Sequence, residues 1–216
     1  MCIRDRINLE GVRPFAEGGN RVCYVHPDNK NLCLKISKPE VVKKMRSNAP
    51  WYKKLRSEQS FDDNFREENA YQQRAIKKNP QKIWRHLARW HEFVTTSKGL
   101  ASCTELITNN DKVALNLEEY LFSKGRTSEI NDALKEFEMF LKETKLLTKN
   151  IIPHNLAVKE NDSGLTLKII DGLGCMSFIP LPEISDAFAK RYIKRRIELM
   201  YSRIEWDLSG RKGSWK

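Results

Sequence analysis

No apolar run in the sequence approaches the roughly 18–20 residues that a membrane span needs, so no spanning helix is expected. The first six residues, Met1-Cys2-Ile3-Arg4-Asp5-Arg6, lack the apolar stretch of a secretory signal and read as a non-native start, leaving 7–216 as the folding chain. Cysteine is scarce and odd in number: Cys2, Cys23, Cys33, Cys103 and Cys175, with no C-x-x-C spacing. That argues against a zinc site or a disulfide framework and for reduced thiols in a cytoplasm. Cys23 and Cys33 sit in apolar-rich segments and read as core filler. Internal repeats and low-complexity linkers are absent. Acidic residues are the minority charge, 28 against 39 lysines and arginines, a net of +11.

The basic excess is local. Residues 37–56 hold seven Lys/Arg against Glu40 alone, and residues 189–216 hold nine against Glu198, Glu205 and Asp207. Two such segments suit phosphates, an anionic surface or a protein partner; the plain alternative is solvated helix faces. Aromatic residues flank both, but no motif for reading RNA or DNA accompanies them, which disfavours nucleic acid. Hydrophobic residues make up 40% of the 216, enough for a packed core in one domain or two small lobes sharing one site.

The chain opens with strand signals. Arg21-Val22-Cys23-Tyr24-Val25 has strand composition and ends at the turn His26-Pro27-Asp28-Asn29, and residues 31–36 form the next strand. Residues 37–60 look irregular. Residues 62–77 read as a helix capped by Asp62 or Asp63, and the Trp-rich 81–93 as a second short one. Residues 100–106 and 113–121 read as a strand pair around Asn109-Asn110-Asp111. Three-to-four spacing of Leu134, Phe137, Phe140 and Leu141 predicts an amphipathic helix over 128–147. Apolar segments 151–158 and 165–170 frame a turn. A last helix over 185–207 carries Ile184, Phe188, Ile193, Ile197, Met200 and Ile204 on one stripe. Strands gathered early and helices late indicate an α+β fold.

Three places carry chemistry. Gly18-Gly19-Asn20 between two strands lets backbone approach a phosphate, though two glycines also make a plain hairpin. Lys35 lies in an otherwise apolar strand, which is costly unless its ammonium finds an anion: a phosphate, or a carboxylate such as Glu68 on the following helix. A lysine snorkelling from an edge strand is the alternative. Asn155 precedes one apolar strand and Asp171 ends the next, so hard oxygen ligands face one another across a hairpin, suiting Mg2+ that bridges nucleotide phosphates.

Taken in order, these residues resemble protein kinases. Residues 17–20 resemble a shortened Gly-rich loop, Lys35 the phosphate-pairing lysine, Glu68 the helix glutamate, and Asp171-Gly172-Leu173 the Asp-Phe-Gly motif. Asn150-Ile151-Ile152-Pro153-His154-Asn155 resembles the catalytic loop from its aspartate position to its asparagine. The chain is closer still to one bacterial family, the PhoP regulatory network proteins called YrbL. That resemblance rests on Val22–Pro27 with Cys33-Leu34-Lys35-Ile36 near the start, and on the segments 153–156 and 171–180 near the end. It implies a kinase-like fold, with a β-rich lobe over 7–120 and a reduced helical lobe over 121–216, and a link to envelope-stress regulation. It also implies ATP and Mg2+ as ligands, with Gly18, Gly19, Asn20, Lys35 and Glu68 on the nucleotide and Asn155 and Asp171 on the metal.

The departures matter as well. The catalytic-base position is Asn150, whose amide accepts no substrate proton at neutral pH, so phosphotransfer is expected to be weak or absent. Only 45 residues follow Asp171, little room for an activation segment and substrate-binding helices. A pseudokinase acting through a protein partner, or a basic adaptor for nucleic acid or an anionic surface, are the competing readings.

Overall fold

The computed structural model describes residues 6–175 and 181–215. Of the suspected non-native start, all but Arg6 lies outside these residues, as do Cys2 and the part of the 171–180 segment that runs from 176 to 180.

The chain divides into two compact units, Met1–Asn69 with Arg89–Leu106, and Ala70–Ala88 with Ile107–Lys216. The first holds an antiparallel five-stranded sheet. Its strands are β1 (Ala16–Glu17), β2 (Arg21–His26), β3 (Asn29–Ser37), β4 (Trp90–Thr96) and β5 (Gly99–Glu105), in the order β1-β2-β3-β5-β4. Arg6 is tied to it, its guanidinium donating to the carbonyls of Thr96 and Ser97. Alternation along the central β3 sorts its side chains. Leu34 and Ile36 join Leu9, Tyr24, Ala101 and Cys103 in the core, while Cys33 and Lys35 face the opposite side.

Between β3 and the next strand the chain is helical where irregular structure was expected. Pro39 opens α1 (Pro39–Ser47), α2 (Trp51–Lys54) follows, and a 3-10 turn (Glu58–Phe61) leads into α3 (Asp63–Ala70). Asp62 is the cap: its Oδ1 accepts from the Asn64 N–H at 2.8 Å. The Trp-rich 81–93 splits into a helix end and strand β4, since Trp90 and the residues from Glu92 onward pair with β5, with His91 bulged between them.

The second unit contains α4 (Arg74–Lys78), α5 (Pro80–His86), the two-residue strands β6 (Thr108–Asn109) and β7 (Lys112–Val113), α6 (Leu117–Lys124), α7 (Ser128–Thr144), the hairpin β8 (Leu156–Asn161) and β9 (Gly164–Ile169), α8 (Leu181–Ile184) and α9 (Asp186–Leu208). A boundary at residue 120 is therefore not what the packing draws. Residues 70–88 are held by the later chain: the Ala88 N–H bonds the Ile169 carbonyl, and both ends of the Gln73 amide bond the backbone of Leu147. Residues 117–121, expected as strand, are helix because Asn116 and Glu119 close a reciprocal capping box. In α7, Ile130, Leu134, Phe137 and Leu141 are buried as their spacing predicts, against β9 and α9. The α9 stripe is Ala189, Ile193, Ile197, Met200 and Ile204; Ile184 and Phe188 turn outward, so the expected stripe is corrected at its start.

His86 is buried in this unit. Its Nδ1–H donates to the Leu167 carbonyl at 2.9 Å, its ring stacks on Phe140, and Nε2 stands 3.5 Å from the Glu136 carboxylate, which also pairs with Arg85. Burial lowers its pKa against the pull of that carbonyl and Glu136. The unfolded chain then binds the proton first, so stability should fall as pH drops below about 6.5 and level off below the lower folded value. Urea unfolding of wild type and His86→Gln across this window checks it: the variant should lose the slope there.

Candidate functional site

In the first unit, Lys35 projects from the middle of β3 and its Nζ reaches Glu67 of α3, at 3.1 Å to Oε1 and 3.4 Å to Oε2. Both side chains are buried, at 7% and 3% exposure. Glu67 also accepts from the guanidinium of Arg21, the first residue of β2. Asn64, one helical turn before Glu67, accepts from Arg21 at 3.2 Å and donates to the Lys35 carbonyl at 2.9 Å. The result is a buried lattice in which two cations share one carboxylate and an amide ties both strands to the helix. Sequence reasoning had placed Glu68 here. A cap at Asp62 puts Asn64, Glu67 and Ala70 on the inner face, and Glu68 about 100° round, half-buried, with no hydrogen bond or ion pair among the described residues.

The loop Gly18-Gly19-Asn20 joins β1 to β2 on the same unit. It closes on itself through the Gly18 N–H to the Arg21 carbonyl, and Asn20 donates to Asp63 at 2.7 Å. The turn itself does not call for glycine: neither Gly18 nor Gly19 has a left-handed φ, and a Cβ on Gly19 would meet nothing within 4 Å. Cys33, on the Lys35 face, has a thiol pushed well above its ordinary pKa by the hydrogen bond with Cys23 and by burial. It is a neutral packing residue, as its surroundings suggested.

In the second unit, α7 ends at Lys145 in the left-handed conformation and the chain turns into residues 146–155. These lie against the segment after β9. The Gly172 carbonyl accepts from the N–H groups of Lys149 and Asn150, and the Gly174 N–H bonds the Leu147 carbonyl. Asn155 and Asp171 flank one backbone bond, from the Ile170 N–H to the Asn155 carbonyl. Asn155 is buried and its amide orientation is fixed, because Nδ2 donates to the Asn150 carbonyl at 2.9 Å. That leaves Oδ1 as an acceptor with no partner among the described residues. Asp171 is half-buried, with Oδ1 accepting from the Gly172 N–H at 2.5 Å.

One amide oxygen and one carboxylate make a sparse set, and no group of three or more His, Cys, Asp or Glu is placed to hold a metal among the described residues. A sparse set suits Mg2+, which keeps several waters and takes its remaining ligands from phosphates. Asn150 itself is exposed; its backbone, through the carbonyl that fixes Asn155, is what the local structure uses. Arg21, Asn64 and Glu67 are the residues that sequence reasoning passed over. The polar pair Asn64 and Glu67 at i, i+3 behind a capping Asp62 is the signal that could have found two of them.

Comparison with known proteins bears on the family and the fold. YrbL of Escherichia coli (strain K12) and YrbL of Shigella flexneri are each 23% identical to the chain over 180 residues, which cover 81% of this chain and 77% of each relative. Among solved structures, a double mutant of the Mycobacterium tuberculosis PknI kinase domain is similar with a TM-score of 0.50 and 14% identity, over 90% of this chain and 71% of that one. Rad53 1–466 in complex with AMP-PNP is similar with a TM-score of 0.52 and 11% identity, over 92% of this chain and 50% of that one. The fold is protein-kinase-like. The family described as PhoP regulatory network protein YrbL matches residues 7–205, and the chain belongs to that family.

Proposed function

We propose that the chain binds ATP with Mg2+ and transfers phosphate weakly or not at all, acting in the bacterial cytoplasm within stress or envelope regulation. The observation that carries the reading is the buried pairing of Lys35 with Glu67. Desolvating two charges costs several kcal/mol per ion and is rarely worth it for stability alone, whereas a lysine held at fixed orientation is what a phosphate contact requires. Lys35 would meet the phosphates, with Glu67 holding it and Arg21 holding Glu67. Gly18 and Gly19, which the turn does not need, would leave room for the nucleotide, and Asn155 Oδ1 and Asp171 would hold the metal. Bound Mg2+ supplies charge neutralisation of the phosphates.

The weak arm of the chemistry is Asn150. Its amide takes no proton from an acceptor hydroxyl, so any transfer rests on positioning and electrostatics. This also keeps a second reading alive, a pseudokinase that binds nucleotide and signals through a protein partner. A single-turnover assay with radiolabelled ATP separates the two: transfer that disappears in Asp171→Ala marks an enzyme.

The test of nucleotide binding is thermal unfolding with and without ATP and Mg2+. Nucleotide at about 100 times its dissociation constant adds about 2.7 kcal/mol, a rise of roughly 5–10 °C for a chain of this size. Wild type should show that rise only when Mg2+ is present, and Asp171→Ala should lose it while unfolding at nearly the same temperature without ligand. No rise at millimolar ATP overturns the proposal.

A further inference from the structure

The helical insertion after β3 carries a surface that nucleotide binding does not use. Val42 is the buried residue of α1, which turns Lys43 and Lys44 outward. In α2 no residue is buried. Trp51 is 77% exposed and Leu55, one turn on, is 80% exposed. Tyr52 stands edge-on to Trp51 at 6.2 Å between ring centroids.

Within residues 43–56 every charged side chain is basic, and most of them have no acidic partner among the described residues. Lys38 pairs with Glu17 and Arg46 with Glu58. Lys43, Lys44, Lys53, Lys54 and Arg56 meet no acidic group among the described residues. Five cations without an acidic partner among the described residues, beside an exposed Trp, Tyr and Leu, form a composite surface. Lysines attract negative charge, Trp and Tyr partition to the interface between hydrocarbon and water, and Leu gains only where it leaves water altogether.

We infer that residues 43–56 dock on the surface of an anionic phospholipid bilayer, with Trp51 and Leu55 entering the headgroup boundary. Charge complementarity requires a polyanion. Among polyanions a bilayer also offers Leu55 a place out of water, which a phosphate backbone does not. No helix among the described residues is long and apolar enough to cross a membrane, so the contact is peripheral. The α9 cluster makes a useful contrast: Lys194 faces Glu198, and Arg196 covers the Tyr192 ring.

Flotation with vesicles of phosphatidylcholine doped with phosphatidylglycerol, against phosphatidylcholine alone, tests the inference independently of nucleotide binding. Wild type should float with the anionic vesicles and not with the neutral ones, and should be released by salt. Trp51→Ala/Leu55→Ala should stay at the bottom. Lys43→Gln/Lys44→Gln should partition roughly 25-fold less, about five-fold per cation. All four positions are exposed, so the unfolding temperature of each variant should match wild type and separate loss of binding from loss of fold. Failure to float with anionic vesicles, equal flotation with neutral ones, or unchanged flotation of the Trp51/Leu55 variant overturns it. So does capture of poly(U) RNA that depends on the same residues when vesicles are not bound.

Discussion

Replacing Glu67 by alanine should lower the free energy of unfolding by about 3–5 kcal/mol, the cost of breaking a buried ion pair by removing one partner. For a chain of this size that is a fall of roughly 6–20 °C in unfolding temperature. The loss is large because Arg21 and Lys35 both lie buried against this carboxylate. Glu67→Gln keeps the shape but removes the charge and turns one acceptor oxygen into an NH2 donor facing two cations, so most of the loss should remain. Lys35→Met should cost less, about 1–2 kcal/mol, because Arg21 still satisfies Glu67. Glu68→Ala, a half-buried side chain without a polar partner among the described residues, should stay within about 0.5 kcal/mol of wild type. Parallel urea titrations of the four variants measure the order. Equal effects at 67 and 68 would mean that α3 is rotated from the orientation described here.

That one-residue difference shows where sequence reasoning stopped. The strand around Lys35 was legible because alternation fixes its faces: Leu34 and Ile36 toward the core, Lys35 away from it. The helix carrying its partner was legible as a helix, but its phase was not. Phase is usually read from apolar periodicity, and in α3 two of the buried residues, Asn64 and Glu67, are polar, while Phe65 is only half-buried. The same limitation hid β4, whose side chains mostly stay half-buried and whose place depends on pairing with β5. The strand predicted over 113–121 failed for a local reason, the Asn116–Glu119 box that starts a helix at Leu117. The nearness of Asn155 to Asp171, by contrast, was legible because a hairpin of short apolar strands brings its outer ends together whatever else surrounds it.

Alanine at Gly172 should be the most damaging small substitution in the second unit. Gly172 has a φ of +83°, and a Cβ there would sit 2.1 Å from the Asn150 carbonyl oxygen and 3.0 Å from Asn155 Nδ2. The left-handed backbone alone costs about 1 kcal/mol for a residue with a side chain. The clash is with backbone, so relief requires moving residues 149–150 away from 172. That movement strains the two N–H bonds to the Gly172 carbonyl and the Asn150 carbonyl that orients Asn155. A total loss of about 2–4 kcal/mol is expected. The stabilisation by ATP and Mg2+ should vanish even where the variant remains folded, because Asn155 Oδ1 would no longer be held. Gly19→Ala is the matched control: its φ is ordinary and a Cβ meets nothing within 4 Å, so stability should be unchanged or raised by about 0.4–1 kcal/mol. Weaker nucleotide binding in that variant, with its fold intact, would locate the role of Gly19 in the ligand rather than in the turn. If Gly172→Ala instead kept full stability and full Mg2+-dependent stabilisation, Asn155 would not owe its orientation to this close approach, and the metal role given to it would fail.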